Sequence, residues 1–128
     1  MLNAFLQNKK LRTKIHAFFL QHEEQICDII LFGSIVRGKE KPSDIDILLL
    51  FSSKENTDIT YSFRKLLEQF SLPITIIPKT YASLLSESFP AKESILAEGH
   101  SLITDKSIAA SFGYASFILF RYTLTGFT

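Results

Sequence analysis

At 128 residues, the chain has the length of one domain rather than two. With 46% hydrophobic and 21% charged residues, it reads as an ordinary folded protein and not as a disordered one. Its formal charge of +1 provides no global field to recruit nucleic acid or an anionic membrane, so any anion site must be local.

The first residues, Met1 to Lys10, follow a short apolar patch with charge and offer no small-residue cleavage site, so they do not read as a signal peptide. The longest uncharged run, Ser107 to Phe120, is shorter than the ~18 residues that a membrane-spanning helix needs. A soluble protein of the reducing cytoplasm is the expectation.

Leu11, Ile15, Phe18 and Phe19 recur at helical spacing, which predicts an amphipathic helix over about Asn8 to Glu24. Ile26 to Phe32 is apolar and β-branched and stops at Gly33, as a buried strand would. Its Cys27, the chain's only cysteine, excludes an internal disulfide and is expected to be a buried, inert thiol. Pro42-Ser43 breaks the chain before Asp44, and Ile45 to Phe51 forms a second, central strand.

Ile59, Phe63, Leu66, Leu67 and Phe70 mark a second helix over Thr57 to Phe70. Leu72-Pro73 opens a third strand, Ile74 to Ile77, which Pro78 is expected to end. Short helices are predicted over Thr80 to Ser88 and Ala91 to Glu98, with Gly99 as a C-cap and an edge strand over His100 to Thr104. Asp105 is then placed to cap a last helix, Lys106 to Thr125, whose aromatic and aliphatic residues nearly encircle it. The division that follows is residues 1–104 as one α/β domain, of α+β type, with a mixed sheet of three or four strands and helices packed on it. Residues 105–128 form a C-terminal aromatic helix, an interface or the start of a further segment.

The chemistry lies between the first two strands, where one strand ends in Gly33-Ser34 and the next starts at Asp44-Ile45-Asp46. Glycine lets the backbone approach a ligand closely, and the N–H groups opening the following turn can receive phosphate oxygens. Residues two apart in a strand share a face, so Asp44 and Asp46 present two carboxylates side by side. Their repulsion is relieved by a hard divalent cation, and carboxylate plus phosphate oxygens are the ligands magnesium prefers. Arg37, Lys39 and Lys41 follow the Gly-Ser, and for Lys39 and Lys41 a solvated turn is at least as good a reading as phosphate binding. His16, His22 and His100 lack metal-ligand spacing and are given no role.

This combination of strand, Gly-Ser, basic turn, Asp-x-Asp and strand resembles the signature of the DNA polymerase β-like nucleotidyltransferase superfamily, and among its members the minimal single-domain kind. Nine residues separate Ser34 from Asp44 here. A fainter likeness extends through Ile95-Leu-Ala-Glu-Gly99, so that about Ile26 to Ile103 is covered. The resemblance implies that Gly33 and Ser34 hold the phosphates of a nucleoside triphosphate, with ATP the first expectation and Arg37 a phosphate contact, and that Asp44 and Asp46 are catalytic and coordinate magnesium. It implies transfer of a nucleoside monophosphate to a hydroxyl acceptor, which in minimal members is frequently on a partner protein.

The family's third carboxylate stands on a later strand, and here that position falls on Thr75. A hydroxyl neither holds a second metal ion by charge nor accepts a proton at neutral pH. Two magnesium ions are therefore expected if another carboxylate moves in, with Asp58, Glu87 and Glu93 as the candidates, and one if none does. In the second case the chain is a catalytically impaired nucleotide-binding or protein-interaction module, such as the antitoxin-like half of a two-protein system. The apolar circumference of the 106–127 helix calls for a homodimer or a helical partner protein to cover it.

Overall fold

A computed structural model describes residues 7–33, 45–86 and 92–109. Helix α1 spans Lys9–Gln21, and its start is set by the Asn8 side chain, whose Oδ1 accepts the Leu11 N–H at 3.1 Å. Leu11, Ile15 and Phe18 form its buried face. The helix ends earlier than its periodicity suggests because the chain turns at His22, whose carbonyl receives the N–H groups of Gln25 and Ile26 and so launches the first strand.

Strands β1 (Ile26–Phe32) and β2 (Ile45–Phe51) pair antiparallel, from Ile26 opposite Phe51 to Phe32 opposite Asp46. Helix α2 (Thr57–Glu68) then crosses over, capped by Asn56 Oδ1 on the Ile59 N–H at 3.0 Å, and returns the chain to β3 (Ile74–Thr80), parallel to β2. Helices α3 (Tyr81–Leu85) and α4 (Lys92–Glu98) follow, and β4 (His100–Ser101) pairs antiparallel with the far side of β1. The sheet order is β3-β2-β1-β4, a mixed four-stranded sheet with helices packed on it, as the pattern of elements predicts.

Two apolar clusters lie on the two faces of this sheet. Leu11, Ile15 and Phe18 of α1 and Ile59, Phe63 and Leu67 of α2 pack against Ile45, Ile47, Leu49 and Phe51 of β2. Leu84 of α3 and Ile95 of α4 pack with Ile30, Phe32, Leu48, Leu50 and Ile108 on the opposite face. Each fully buried aliphatic or aromatic side chain of this kind contributes about 1.5–3 kcal/mol of transfer free energy, which is why the near-continuous apolar run of β2 takes the centre of the sheet.

Several local expectations are corrected. Cys27 is exposed rather than buried: a register shift between Ile26 and Asp28 interrupts the alternation of β1 and turns this side chain outward. Desolvation of the sulfur, and secondarily the carboxylate of Asp28, raises the thiol pKa and disfavours the thiolate. Pro78 does not end β3, which runs on to Thr80; β3 is an edge strand, where a residue without an N–H is tolerated. The strand over His100 to Thr104 shortens to two residues because Ser101 to Lys106 turns tightly, with Asp105 N–H bonded to the Ser101 carbonyl and Ser101 N–H to that of Lys106. The helix predicted over Lys106 to Thr125 lies, beyond residue 109, outside the described residues.

Candidate functional site

The first two strands deliver Gly33 and Asp46 to the same end of the sheet. Phe32, the last residue of β1, pairs with Asp46, and Gly33 follows directly, buried and at φ 85°, a left-handed conformation that side chains rarely adopt. A Cβ added at Gly33 would stand 2.5 Å from Asp46 Oδ2. The absent side chain is thus the space that the carboxylate uses, and the backbone turn and the acid are in contact.

Strand alternation fixes which face this is. Ile45 and Ile47 point to the α1/α2 side, so half-buried Asp46 shares the opposite face with Leu48 and Leu50. On β3, Ile74 and Ile76 point to the α1/α2 side and Ile77 to the other, which puts exposed Thr75 on the face of Asp46. The parallel register sets Asp46 and Thr75 side by side. Gly33, Asp46 and Thr75 therefore form one group at one sheet end. Of the other residues singled out in the sequence, Ser34, Arg37 and Asp44 lie outside the described residues, as do Lys39, Lys41 and Glu87.

The two described candidates for a replacement carboxylate separate. Asp58 is exposed in the first turn of α2, the helix that covers the other face of the sheet, and so does not stand beside Asp46. Glu93 is exposed in the first turn of α4, which packs on the face of Asp46 through Ile95. Among the described residues, no three His, Cys, Asp or Glu side chains converge as a metal site would require. Asp46 remains a hard oxygen donor in contact with the Gly33 backbone, and a carboxylate oxygen is a ligand type that magnesium accepts.

A second polar group escaped sequence reasoning. Asp28 accepts the Ser101 hydroxyl at 2.7 Å and its neighbour's Ile29 N–H at 2.7 Å, while Ser101 Oγ accepts the N–H groups of Ile103 and Thr104. Burial pushes the Asp28 pKa up, partly opposed by these two hydrogen bonds. Close by in sequence, Asp105 (φ 59°) meets His100 Nε2 at 2.8 Å and Arg12 at 3.3 Å, with its carboxyl pKa lowered, most by the His100 hydrogen bond. These contacts tie β4 and its turn to β1 and α1; the one sequence sign of them is an acid inside an otherwise apolar strand.

The family model described as "Polymerase beta, Nucleotidyltransferase" matches residues 13–107, a span that includes Gly33, Asp46 and Thr75. The chain belongs to the polymerase beta nucleotidyltransferase family. Solved structures agree on the fold. A toxin-antitoxin crystal structure with AMP-PNP superposes with a TM-score of 0.55 at 19% identity, covering 90% of each chain. A mutant of the toxin-antitoxin pair MntA-HpeT gives 0.56 at 16% identity, again over 90% of each chain. A protein from Shewanella oneidensis gives 0.52 at 14% identity, over 94% of this chain and 92% of that one. No curated protein is significantly similar to the chain. Among the described residues, no helix is long and apolar enough to cross a membrane.

Proposed function

We propose that this nucleotidyltransferase domain binds a magnesium nucleoside triphosphate, ATP first among them, at the sheet end formed by Gly33 and Asp46, and transfers its nucleoside monophosphate to a hydroxyl on a partner protein. The observation that carries the reading is the contact between the left-handed Gly33 turn and the Asp46 carboxylate, because phosphate donors and a metal ligand must be adjacent for one ligand to use both. Gly33 and Ser34 would receive phosphate oxygens, with Arg37 as a further contact, and Asp44 and Asp46 would hold the metal. Magnesium, when bound, withdraws charge from the phosphate oxygens and aligns the attacking and leaving groups. The family match, and a structural relative that is a toxin-antitoxin crystallised with AMP-PNP, support a nucleotide ligand, and the two toxin-antitoxin relatives support a protein partner.

In the transfer, the acceptor oxygen forms a bond to the α-phosphorus, the bond to the β-phosphate bridge breaks, and pyrophosphate leaves. Thr75 cannot take the acceptor's proton at neutral pH, because its hydroxyl is no base. Slow transfer in isolation is therefore expected, with one magnesium ion held by the protein's carboxylates. The position of Thr75 beside Asp46 also favours a second reading, a domain that binds the nucleotide without transferring it and serves as an antitoxin-like interaction module.

Transfer from α-labelled ATP to the co-expressed protein partner separates the two. Label appearing on the partner, dependent on magnesium and lost with Asp46→Asn, supports transfer. Tight nucleotide binding with no label on any acceptor supports the binding module, and no nucleotide binding overturns both.

A further inference from the structure

We propose that the outer face of α1 is a docking surface for an acidic segment of a partner protein that presents an aliphatic side chain. The inference rests on charge segregation and shape, and it does not depend on nucleotide transfer. Helix α1 carries Lys9, Lys10, Arg12 and Lys14 and no carboxylate, in a chain whose formal charge is only +1. The helix is therefore a local cationic surface on a protein that is otherwise slightly acidic. Some of this charge is engaged within the molecule: Arg12 meets Asp105, and Lys14 Nζ donates to Gln69 Oε1 at 3.0 Å. Both contacts are at the surface: the Arg12–Asp105 ion pair contributes only about 0–1 kcal/mol there, and the Lys14 bond is to a neutral amide, so a partner's carboxylate can replace either.

The shape of the face favours a protein over other polyanions. The core stripe Leu11, Ile15 and Phe18 is buried, yet Leu20 is 63% exposed. Two shallow, open depressions flank α1 and meet at Ala17; Leu20 borders the first and Phe18 the second. Lys9 and Arg12 line the first and Lys14 and Lys65 the second, Lys65 also pairing with Glu68 at 3.5 Å, and among the described residues no acid lines either one. An aliphatic side chain set among carboxylates fits such a surface, with apolar contact in the hollow and charge contacts at its rim. Nucleic acid would want open aromatic faces, whereas the nearby Tyr61 ring already has Lys65 over it at 5.4 Å. A bilayer would want a broad apolar face, and that of α1 is spent on the sheet.

Helix α1 covers the sheet face opposite Asp46, so a partner seated there leaves the Gly33–Asp46 end open.

The test is titration of the full-length, isotope-labelled protein with a synthetic helical peptide of Glu and Leu, followed by NMR. Shifts at α1, a roughly tenfold loss of affinity for Lys9→Glu/Lys14→Glu, and a similar loss between about 0.05 and 0.5 M salt are expected. Leu20→Ser should weaken binding several-fold without altering the salt dependence, and circular dichroism melts verify that both variants are folded. Peptide shifts mapping away from α1, or an affinity indifferent to these changes, overturn the proposal. So does binding of single-stranded RNA or phosphatidylserine vesicles at α1 in preference to the peptide.

Discussion

Gly33→Ala tests the contact on which the site is built. The substitution forces a side chain into the left-handed region at φ 85°, which costs about 1–2 kcal/mol. It also places a methyl 2.5 Å from Asp46 Oδ2, closer than real Cβ atoms come to anything. The carboxylate belongs to a half-buried side chain, so it can swing aside at an off-rotamer cost of about 0.5–1.5 kcal/mol. The sum, roughly 2–3 kcal/mol, is smaller than the 5–15 kcal/mol that usually holds a domain together, so the variant should fold. Its melting temperature should drop by roughly 8–12 °C, at about 4 °C per kcal/mol for a domain of this size.

A double-mutant cycle divides the two costs. In an Asp46→Ala background the clash is gone and only the backbone cost remains, so Gly33→Ala should there cost about 1–2 kcal/mol, with the difference reporting the contact. Nucleotide binding should be lost in the single variant, since its metal ligand is displaced. A Gly33→Ala protein that melts within about 1 °C of the parent and binds nucleotide as well would refute the geometry, as would equal costs in the two backgrounds.

Asp46→Asn keeps the size of the side chain and removes its charge, so magnesium-dependent nucleotide affinity should fall at least tenfold in calorimetry while the melting temperature is held; global unfolding would mark Asp46 as structural. Thr75→Asp sets a second carboxylate beside Asp46, and manganese titration followed by electron paramagnetic resonance should detect tighter binding or an added ion, whereas unchanged binding would mean that the two side chains do not share a metal. Because burial raises the Asp28 pKa in the folded protein, the fold binds the proton more tightly than the unfolded chain, and stability decreases as pH rises from the unfolded value through the folded one. Asp28→Asn can still accept from Ser101 and should therefore be more stable than the parent at pH 7 but not at pH 3; melts showing the reverse order would contradict the assignment. Gly99→Ala should cost about 1–3 kcal/mol, because its Cβ would collide with the Ile95 carbonyl oxygen and stand 2.9 Å from Ile30 and 3.1 Å from Ile108; an unchanged melting temperature would show that this junction yields.

The sheet was legible in the sequence because β1 and β2 are strongly apolar runs, each interrupted by a single acid, and α1 and α2 carry clean helical stripes, all signals contained within one element. The family was legible for a similar reason, since its signature falls within one short stretch and needs no tertiary information. What the sequence hid depends on pairing. The outward turn of Cys27 comes from a register shift against β2, and the survival of β3 through Pro78 comes from its place at the edge. Asp28 and Ser101 are 73 residues apart and meet only because β4 returns to β1. At the site, the family resemblance already grouped Gly33, Asp46 and Thr75, and the register between β1, β2 and β3 supplies the geometry that sets Asp46 opposite Phe32 and beside Thr75.

The central claim is that Gly33 and Asp46 form a metal-dependent triphosphate site, and calorimetry of the full chain with ATP in the presence of magnesium, repeated with excess chelator, tests it most directly. The account predicts saturable binding with magnesium, at least tenfold weaker with chelator and abolished by Gly33→Ala. Equal affinity with and without the metal, or no binding in either condition, would contradict it.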